Sequence, residues 1–551
     1  MKVVILGGYG VFGARLGELL LRDGHEVWIA GRDLRKAEAC AQRLGAHPLR
    51  VDLRGDLQPA FSPRPDVVVD AVGPYQCYGE DPYRVARACI EAGTNYLDLS
   101  DDADFTAGIA AVDRAARRAG CRALSGASSV PGLSSIVVEH LARDFEELLL
   151  IDTAILPGNR APRGVSVIES IVGQVGRVSP VWRGGIWRDT RCWTDRRRFD
   201  LGPDLKRTGY FISVPDIKLF PAFFKARSVM FRAGMELGLF NAALSALGWL
   251  KQHVSIEITP RRARVFQWVS KLFLSFGTDR GAMQVVVAGK ANGAVRERVW
   301  RLTAEAGDGP YVPVVVARAL IGRLEDVPIG ARPCLCEAAL PEIEEALSDL
   351  KIETAAYEDE RRNLFQIALG EYWSTLRPEA RALHSVQDVE SFSGTAQVIR
   401  GSSLPARLTG WIFGFPTAGH DVPLTVTKTR TDSGEIWERN FDGRIFRSYL
   451  TPATEPYRCR ERFWPFTFEL DLPVKNGSMY LLVRRGWVLG LPIPRPFLPG
   501  SDSCEYVKNG KFHFDVALSA PLGQGLIVRY RGSLVPDGDK PVAMASVSRS
   551  Q

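Results

Sequence analysis

The chain has no CxxC pair, no HExxH segment and no clustered histidines, although its 551 residues include nine cysteines and seven histidines. Cys334 and Cys336 lie one residue apart, with no second pair to complete a tetrahedral set, so no metal site is expected. An odd number of dispersed cysteines is no disulfide framework; it suits a reducing compartment and points to the cytoplasm. Charge of one sign is also scarce: 70 Lys and Arg against 63 Asp and Glu leave a net charge of +7. The arginines are scattered, no block resembles a helix-turn-helix or an RNA-binding sheet, and nucleic acid is excluded as an expected partner. No uninterrupted apolar run reaches the roughly 20 residues that span a bilayer. The opening MKVVILGGYG reads at once as strand and turn, without the charged leader and apolar stretch of a signal peptide.

What is present is globular. Hydrophobic residues make up 46% and charged residues 24% of the chain, and the length exceeds one ordinary core, so two or three domains are expected.

The strongest local pattern comes first. Val3 to Leu6 is a short, β-branched apolar run of the kind that forms a buried parallel strand. Gly7, Gly8, Tyr9, Gly10, Val11, Phe12 and Gly13 follow directly. Gly8, Gly10 and Gly13 give a GxGxxG spacing, while Gly7, Gly10 and Gly13 fit GxxGxxG; the register leaves both open. Small residues are needed here for a tight turn, for close backbone approach to a pyrophosphate, and for packing of the next helix. That helix is expected over Val11 to Arg22, its N-terminal amides aimed at phosphates. A second strand, His25 to Ala30, ends in Gly31, Arg32 and Asp33 where an NAD site usually carries a ribose-binding acid. Arg32 is placed to pair with a 2′-phosphate, assisted by Arg35 or Lys36, so NADP(H) is the expected cofactor. The alternatives are a surface role for Arg32, a helix-capping role for Asp33, and a ribose-binding Asp33 that keeps NAD open.

Pro65 to Asp70 forms another apolar strand, followed by Ala71, Val72, Gly73, Pro74 and Tyr75; this strand end is expected to line the cofactor crevice. A helix near Pro82 to Ala92, a strand at Asn95 to Leu99, a helix over Asp101 to Ala119 and a strand at Cys121 to Gly126 continue the alternation. Together they predict a Rossmann-type parallel sheet. Tyr75, Tyr96 and Asp98 lie at or near predicted strand ends. Either tyrosine is a candidate proton donor, and Asp98 a candidate to orient or accept a proton, with a turn or cap role the plain alternative for Asp98. No YxxxK arrangement accompanies them.

The succession GGYGVFG, AGR, DAVGPY, GTNYLDLSDD and GASSVPGLSS resembles the saccharopine dehydrogenase-like oxidoreductase family over about residues 1 to 350. The resemblance implies a Rossmann domain, an α+β domain across the cleft, and nicotinamide-dependent oxidation or reduction of a small molecule. It implies pyrophosphate contact at Gly8, Gly10 and Gly13, ribose or phosphate contact at Arg32, and a crevice at Val72 to Pro74; Tyr96, Asp98 and Ser100 match the segment after the next strand. The part from about 360 resembles a domain of unknown function often fused to such oxidoreductases, matching at Gly414-Phe415-Pro416, Trp437-Glu438-Arg439 and Glu461-Arg462-Phe463. That match carries an architecture and no chemistry.

The expected organisation is a Rossmann domain at 1–130, an α+β substrate or oligomerisation domain at 131–350, and a mainly antiparallel β domain at 360–545. In the middle, Phe220 to Leu250 and Val265 to Leu274 are unusually apolar. A buried helix pair is the plain reading; a peripheral membrane face, a greasy substrate channel and a homodimer face are the others. Met283 to Lys290 and Val295 to Ala304 predict a hairpin turned at Asn292-Gly293, and Pro341 to Tyr357 an acidic helix. In the last third, short β-like runs predict a sheet curled around a cavity. Trp411, Phe413, Phe415, Trp464, Phe466 and Trp487 are expected to line the cavity or form its core, with His384, His420 and Glu461 as polar candidates. The leading functional reading is an NADP-dependent oxidoreductase with an apolar substrate. A nucleotide-binding sensor or scaffold without turnover, and a lipid-binding protein acting through its C-terminal domain, stand beside it.

Overall fold

A computed structural model of the chain describes residues 1–162, 164–254, 268, 272–523 and 525–537. The chain forms two compact units, one of residues 1–182 with 187–360, the other of residues 183–186 with the chain from Arg361 onward.

In the first unit the strands are β1 (Lys2–Leu6), β2 (Glu26–Gly31), β3 (His47–Arg50), β4 (Val67–Asp70), β5 (Asn95–Asp98), β6 (Arg122–Ser125), β7 (Glu147–Leu156), β8 (Val178–Arg183), β9 (Ile186–Arg191), β10 (Arg197–Asp200), β11 (Lys206–Phe211), β12 (Val229–Ala233), β13 (Gly281–Ala291), β14 (Ala294–Ala304), β15 (Gly330–Pro333) and β16 (Ile352–Glu360). The first sheet has the order β15-β6-β5-β4-β1-β2-β3, with every neighbour parallel. Val3, Val4 and Ile5 are fully buried, as a strand covered on both faces by helices requires. Helix α1 (Val11–Arg22) turns Gly13, Leu16, Gly17, Leu19 and Leu20 onto the sheet, one helical stripe. After β3 the chain crosses to the far side of β1, so the C-terminal ends of β1 and β4 adjoin where the strand order reverses. Open α/β sheets bind their ligands at such a place.

This sheet is not confined to residues 1–130. Its last strand, β15, comes from Gly330–Pro333, after the whole second sheet. Ala331 N–H bonds to Asp113 Oδ1 at 2.8 Å, and Arg122 Nη2 bonds to the Glu325 carbonyl at 2.9 Å. A four-residue strand has too short a pattern to announce itself; its pairing partner makes it.

The second sheet has the order β10-β11-β12-β7-β13-β14-β16, parallel only at β12 with β7. The β13–β14 hairpin turns at Asn292 and Gly293, with φ of 51° and 76°, the left-handed pair of a type I′ turn. Two expectations fail here. The apolar stretch Phe220 to Leu250 is not a helix pair alone: between the helices Pro215–Phe224 and Gly238–Leu250 runs the strand β12, whose Val229, Met230 and Phe231 are 0–3% exposed. Period alone does not separate a short, doubly buried strand from a buried helix. Pro341 to Tyr357 is likewise split into a helix, Leu340–Leu347, and the strand β16, which pairs along β14 and places Glu358 2.8 Å from Arg298. The segment expected as a single helix over Asp101 to Ala119 breaks into Ala103–Gly108 and Asp113–Ala119 with a short tight turn of helix between them. Most of the apolar segment Val265 to Leu274 lies outside the described residues. Among the described residues no helix is long and apolar enough to cross a membrane, and no group of His, Cys, Asp and Glu is placed to hold a metal.

The second unit is dominated by one antiparallel sheet of thirteen strands, from β17 (Val389–Arg400), β18 (Gly419–Arg430), β19 (Glu435–Phe441), β20 (Arg444–Pro452), β21 (Arg458–Phe463), β22 (Phe466–Asp471), β23 (Val474–Lys475), β24 (Ser478–Tyr480), β25 (Leu482–Val488), β26 (Leu491–Pro492), β27 (Gly500–Lys508) and β28 (Lys511–Ser519) to β29 (Leu526–Pro536). Its inner face surrounds a cavity. Phe413, Phe415 and Glu461 line that cavity, as expected, but Trp411 and Trp464 are 80% and 82% exposed and face solvent. Trp411 falls on the outer side of the helix Leu404–Ile412 and Trp464 at a hairpin tip, and the aromatic count in the sequence carries no sign of side. Phe466 and Trp487 are not among the lining side chains. His384 is fully buried, and the exposed His420 lies 3.1 Å from Gln397.

Candidate nucleotide site

The crevice at the β1–β4 junction is shaped by backbone. Gly7 has φ of +72°, and a Cβ there would stand 2.9 Å from the Ala71 carbonyl oxygen and 3.0 Å from Val72 Cα. The glycine loop therefore lies directly on the loop that follows β4. A Cβ on Gly13 would fall 2.5 Å from the Gly7 oxygen and 2.9 Å from Gly8 Cα, and one on Gly8 2.8 Å from the Ile5 oxygen. Gly10 is less crowded, its nearest atom being the Gly7 oxygen at 3.0 Å. Gly7, Gly8 and Gly13 are thus the sterically obligatory members, which neither reading of the spacing alone identifies.

Gly10 is also the N-cap of α1 and brings no side chain to cap it. Inside the loop, Gly8 N–H bonds to Ala30 O at 3.0 Å, Gly10 N–H to Gly7 O at 2.8 Å, and Ala14 N–H to Gly10 O at 3.1 Å. The amides of Val11, Phe12 and Gly13 find no such acceptor among the described residues. Three unpaired donors at the positive end of a helix dipole form a site for a phosphate group.

Tyr9 closes the side toward β2. Its ring lies where a Cβ on Gly31 would be, 2.3 Å from Tyr9 Cε1, and its hydroxyl accepts from Asp33 N–H at 3.4 Å. The Asp33 carboxylate accepts from Lys36 N–H at 3.3 Å and sits 3.6 Å from Lys36 Nζ, so it caps the helix Leu34–Leu44. Arg32 is exposed and has no hydrogen-bond or ion-pair partner among the described residues. With the acid engaged and the arginine free, the end of β2 suits a 2′-phosphate better than a bare ribose.

Opposite, Ala71 N–H bonds to Leu6 O at 2.9 Å, Val72 is 37% exposed, and Gly73 and Pro74 are half-buried. Behind this loop stands Asp70, a residue the pattern did not single out. Its fully buried carboxylate accepts from Val72 N–H at 3.1 Å and from the Tyr78 hydroxyl at 3.0 Å. Burial pushes this carboxyl up to about 7, opposed by the Val72 amide and aided by Asp98, its cross-strand neighbour. The signal in the sequence was an acid closing a wholly apolar strand, Val67 to Asp70, where a charge has no solvent to face.

The three proton-carrier candidates are placed otherwise than expected. The Tyr75 hydroxyl donates to Asp70 O at 2.8 Å and accepts from Leu99 N–H at 3.2 Å, inside the protein. Tyr96 is 1% exposed, packed with Val4, Val68 and Ala123 in the core on one sheet face. Asp98 accepts from Ser100 N–H at 2.9 Å, Ser125 Oγ at 2.9 Å and Gly126 N–H at 2.8 Å; burial raises it to about 6 while these bonds hold it back. It ties the end of β5 to the end of β6, the turn role that stood as its alternative. Strand-end position in a sequence does not say whether a side chain faces the crevice or the core.

Fold and site together define a dinucleotide-binding oxidoreductase domain of the doubly wound type. More particularly, residues 3–124 match the saccharopine dehydrogenase NADP binding domain and residues 376–534 match DUF4166, a domain of unknown function. The chain is thus a fusion of these two domain families, and the cofactor of its first domain is NADP(H). No curated protein matches it. Among solved structures it is similar to apo saccharopine dehydrogenase (L-Glu forming) from Saccharomyces cerevisiae, at 13% identity and a TM-score of 0.47, over 65% of this chain and 99% of that one. It is also similar to the WlbA dehydrogenase from Chromobactrium violaceum, at 9% identity and a TM-score of 0.26, over 54% of this chain and 74% of that one.

Proposed function

We propose that the chain is an NADP(H)-dependent oxidoreductase acting on a small, apolar molecule at the C-terminal ends of β4, β5 and β6. The observation that carries this reading is the uncapped α1 N-terminus, with its three free amides, seated on the loop after β4. When bound, NADP(H) supplies the hydride chemistry. The chain's own part is to hold the pyrophosphate on Val11, Phe12 and Gly13 N–H, pair the 2′-phosphate with Arg32, and exclude water with Ala71 to Pro74. Asp70 fixes that last loop through Val72 N–H, and Asp98 positions the β5 and β6 ends. Tyr75 and Tyr96 act through packing and internal hydrogen bonds in this reading and carry no proton to the substrate.

Calorimetric titration with NADPH and NADH, followed by a crystal soak, tests this directly. The expected result is a diphosphate within hydrogen-bond reach of the three amides and NADPH bound more tightly than NADH. A chain that holds neither coenzyme there overturns it.

Nine unpaired cysteines support a reducing, cytoplasmic setting. The helix Gly238–Leu250 exposes Leu239 and Trp249 at 62% and 63%, which supports peripheral membrane contact through this face. Sedimentation with anionic phosphatidylserine vesicles, lost in Trp249→Glu, is the expected outcome. A dimer in solution that dissociates in the same variant, without vesicle binding, would assign the face to a second copy instead.

A further inference from the structure

The cavity of the second unit has a volume of about 160 Å³, is partly open to solvent, and has an overwhelmingly apolar wall. Phe413 and Phe415 stack 5.6 Å apart on one side; Val426, Val483 and Leu518 contribute from three different strands. A cavity of this size, well above what a single water needs and apolar with a few convergent polar groups, has room for a small apolar ligand.

The polar groups form a closed account. Lys428, 1% exposed, donates to the Leu383 carbonyl at 3.0 Å, sits 3.3 Å from His384 Nδ1 and lies 3.6 Å from the Trp437 ring centre. His384 Nε2 is 2.6 Å from Glu505 Oε2, and Arg439 donates to Glu461 Oε1 at 3.2 Å. Among the lining residues, two cations thus face two carboxylates. An occupant bearing its own full charge would unbalance this low-dielectric floor, at a cost that burial makes steep. One group is unspent: Tyr530 is 8% exposed, its ring lines the cavity, and its hydroxyl has no hydrogen-bond partner among the described residues. A hydroxyl without a protein partner, carried on a buried ring in the cavity wall, is free to bond to a group supplied from outside the chain.

We propose that this cavity binds an uncharged apolar molecule, a hydrocarbon chain or ring carrying a single hydroxyl or carbonyl oxygen that hydrogen-bonds to Tyr530. The proposal is independent of the NADP(H) reading, since every residue it uses lies in the second unit.

The test uses the full chain and the neutral fluorescent probe N-phenylnaphthylamine, displaced by dodecanol, dodecanoate or dodecylamine. The probe is expected to bind, and dodecanol to displace it at concentrations at least about tenfold below either charged homologue. Leu518→Trp and Val483→Trp, which fill the cavity from two separate strands, should each weaken the probe by about tenfold or more. Tyr530→Phe, which removes one oxygen and keeps the ring, should leave the probe unchanged and weaken dodecanol about three- to tenfold; it keeps the test open should a tryptophan variant fail to fold. Absence of probe binding, probe binding indifferent to both tryptophan variants, or tighter binding of dodecanoate than of dodecanol each overturns the proposal.

Discussion

Arg32→Ala isolates the interaction on which cofactor choice turns. Arg32 is exposed and contacts no described partner, so its removal should move stability by no more than about 0.5 kcal/mol. The effect on binding is different. A hydrogen bond to a charged group contributes about 1.5–3 kcal/mol; at an exposed position solvent screening favours the low end. At 1.4 kcal/mol per tenfold, the variant should bind NADPH about 10- to 30-fold more weakly, and NADH with little change, because Asp33 stays engaged with Lys36. Paired calorimetric titrations of both coenzymes at low and moderate salt measure this, and the NADPH advantage of the wild type should shrink as salt rises. If the variant weakens both coenzymes equally, or if the wild type does not distinguish them, the arginine is not reading the 2′-phosphate and the reasoning from the free guanidinium is wrong.

Gly13→Ala places a methyl group 2.5 Å from the Gly7 oxygen; overpacking of this kind costs about 1–3 kcal/mol, and since the loop itself must move, NADPH binding should fall by more than tenfold while far-UV circular dichroism stays unchanged. Normal coenzyme affinity in this variant would mean the loop is not the cradle. Asp70, raised by burial to about 7 from an ordinary 3.8, is protonated in the folded state where the unfolded chain is already ionised. It therefore loses stability as pH rises from about 4 to about 7, to a total of about 4 kcal/mol, with no further loss above. In that sense the group favours the fold at acid pH and ceases to do so at neutral pH. Denaturant titrations of wild type and Asp70→Asn across that window should show the variant with the flatter profile; parallel profiles would refute the buried ionisation. Tyr78→Phe removes the hydroxyl that Asp70 accepts from at 3.0 Å, and should push the same carboxyl further up, seen as a shift of the pH profile to higher pH.

The dinucleotide site was legible because its determinants are local. A β-branched run, glycines at fixed offsets and a helical stripe from Val11 to Arg22 act over about twenty residues, and turn sterics decide them without help from the rest of the chain. The arginine at the end of β2 was legible for the same reason. The reading went astray wherever a partner distant in sequence made the decision: at β15, which exists as a strand because β6 is beside it; at β12, helical by composition but paired with β7; and at β16, drawn into extended form along β14.

The direction of side chains was the other limit. Asp98 ends β5, Tyr96 lies within it and Tyr75 follows β4 in a short helical turn, yet their polar atoms are turned to the protein interior, and the aromatics of the last third divide between cavity wall and open solvent. By itself the sequence determined the opening βαβ unit, its glycine cradle and the free Arg32, because short-range sterics and hydrogen bonding suffice to build them. The tertiary structure alone decided the inserted second sheet, the burial that lifts Asp70 and Asp98, and the enclosure of Tyr530 and Lys428 in one cavity wall, because burial and strand pairing arise only when segments distant in sequence are brought into contact.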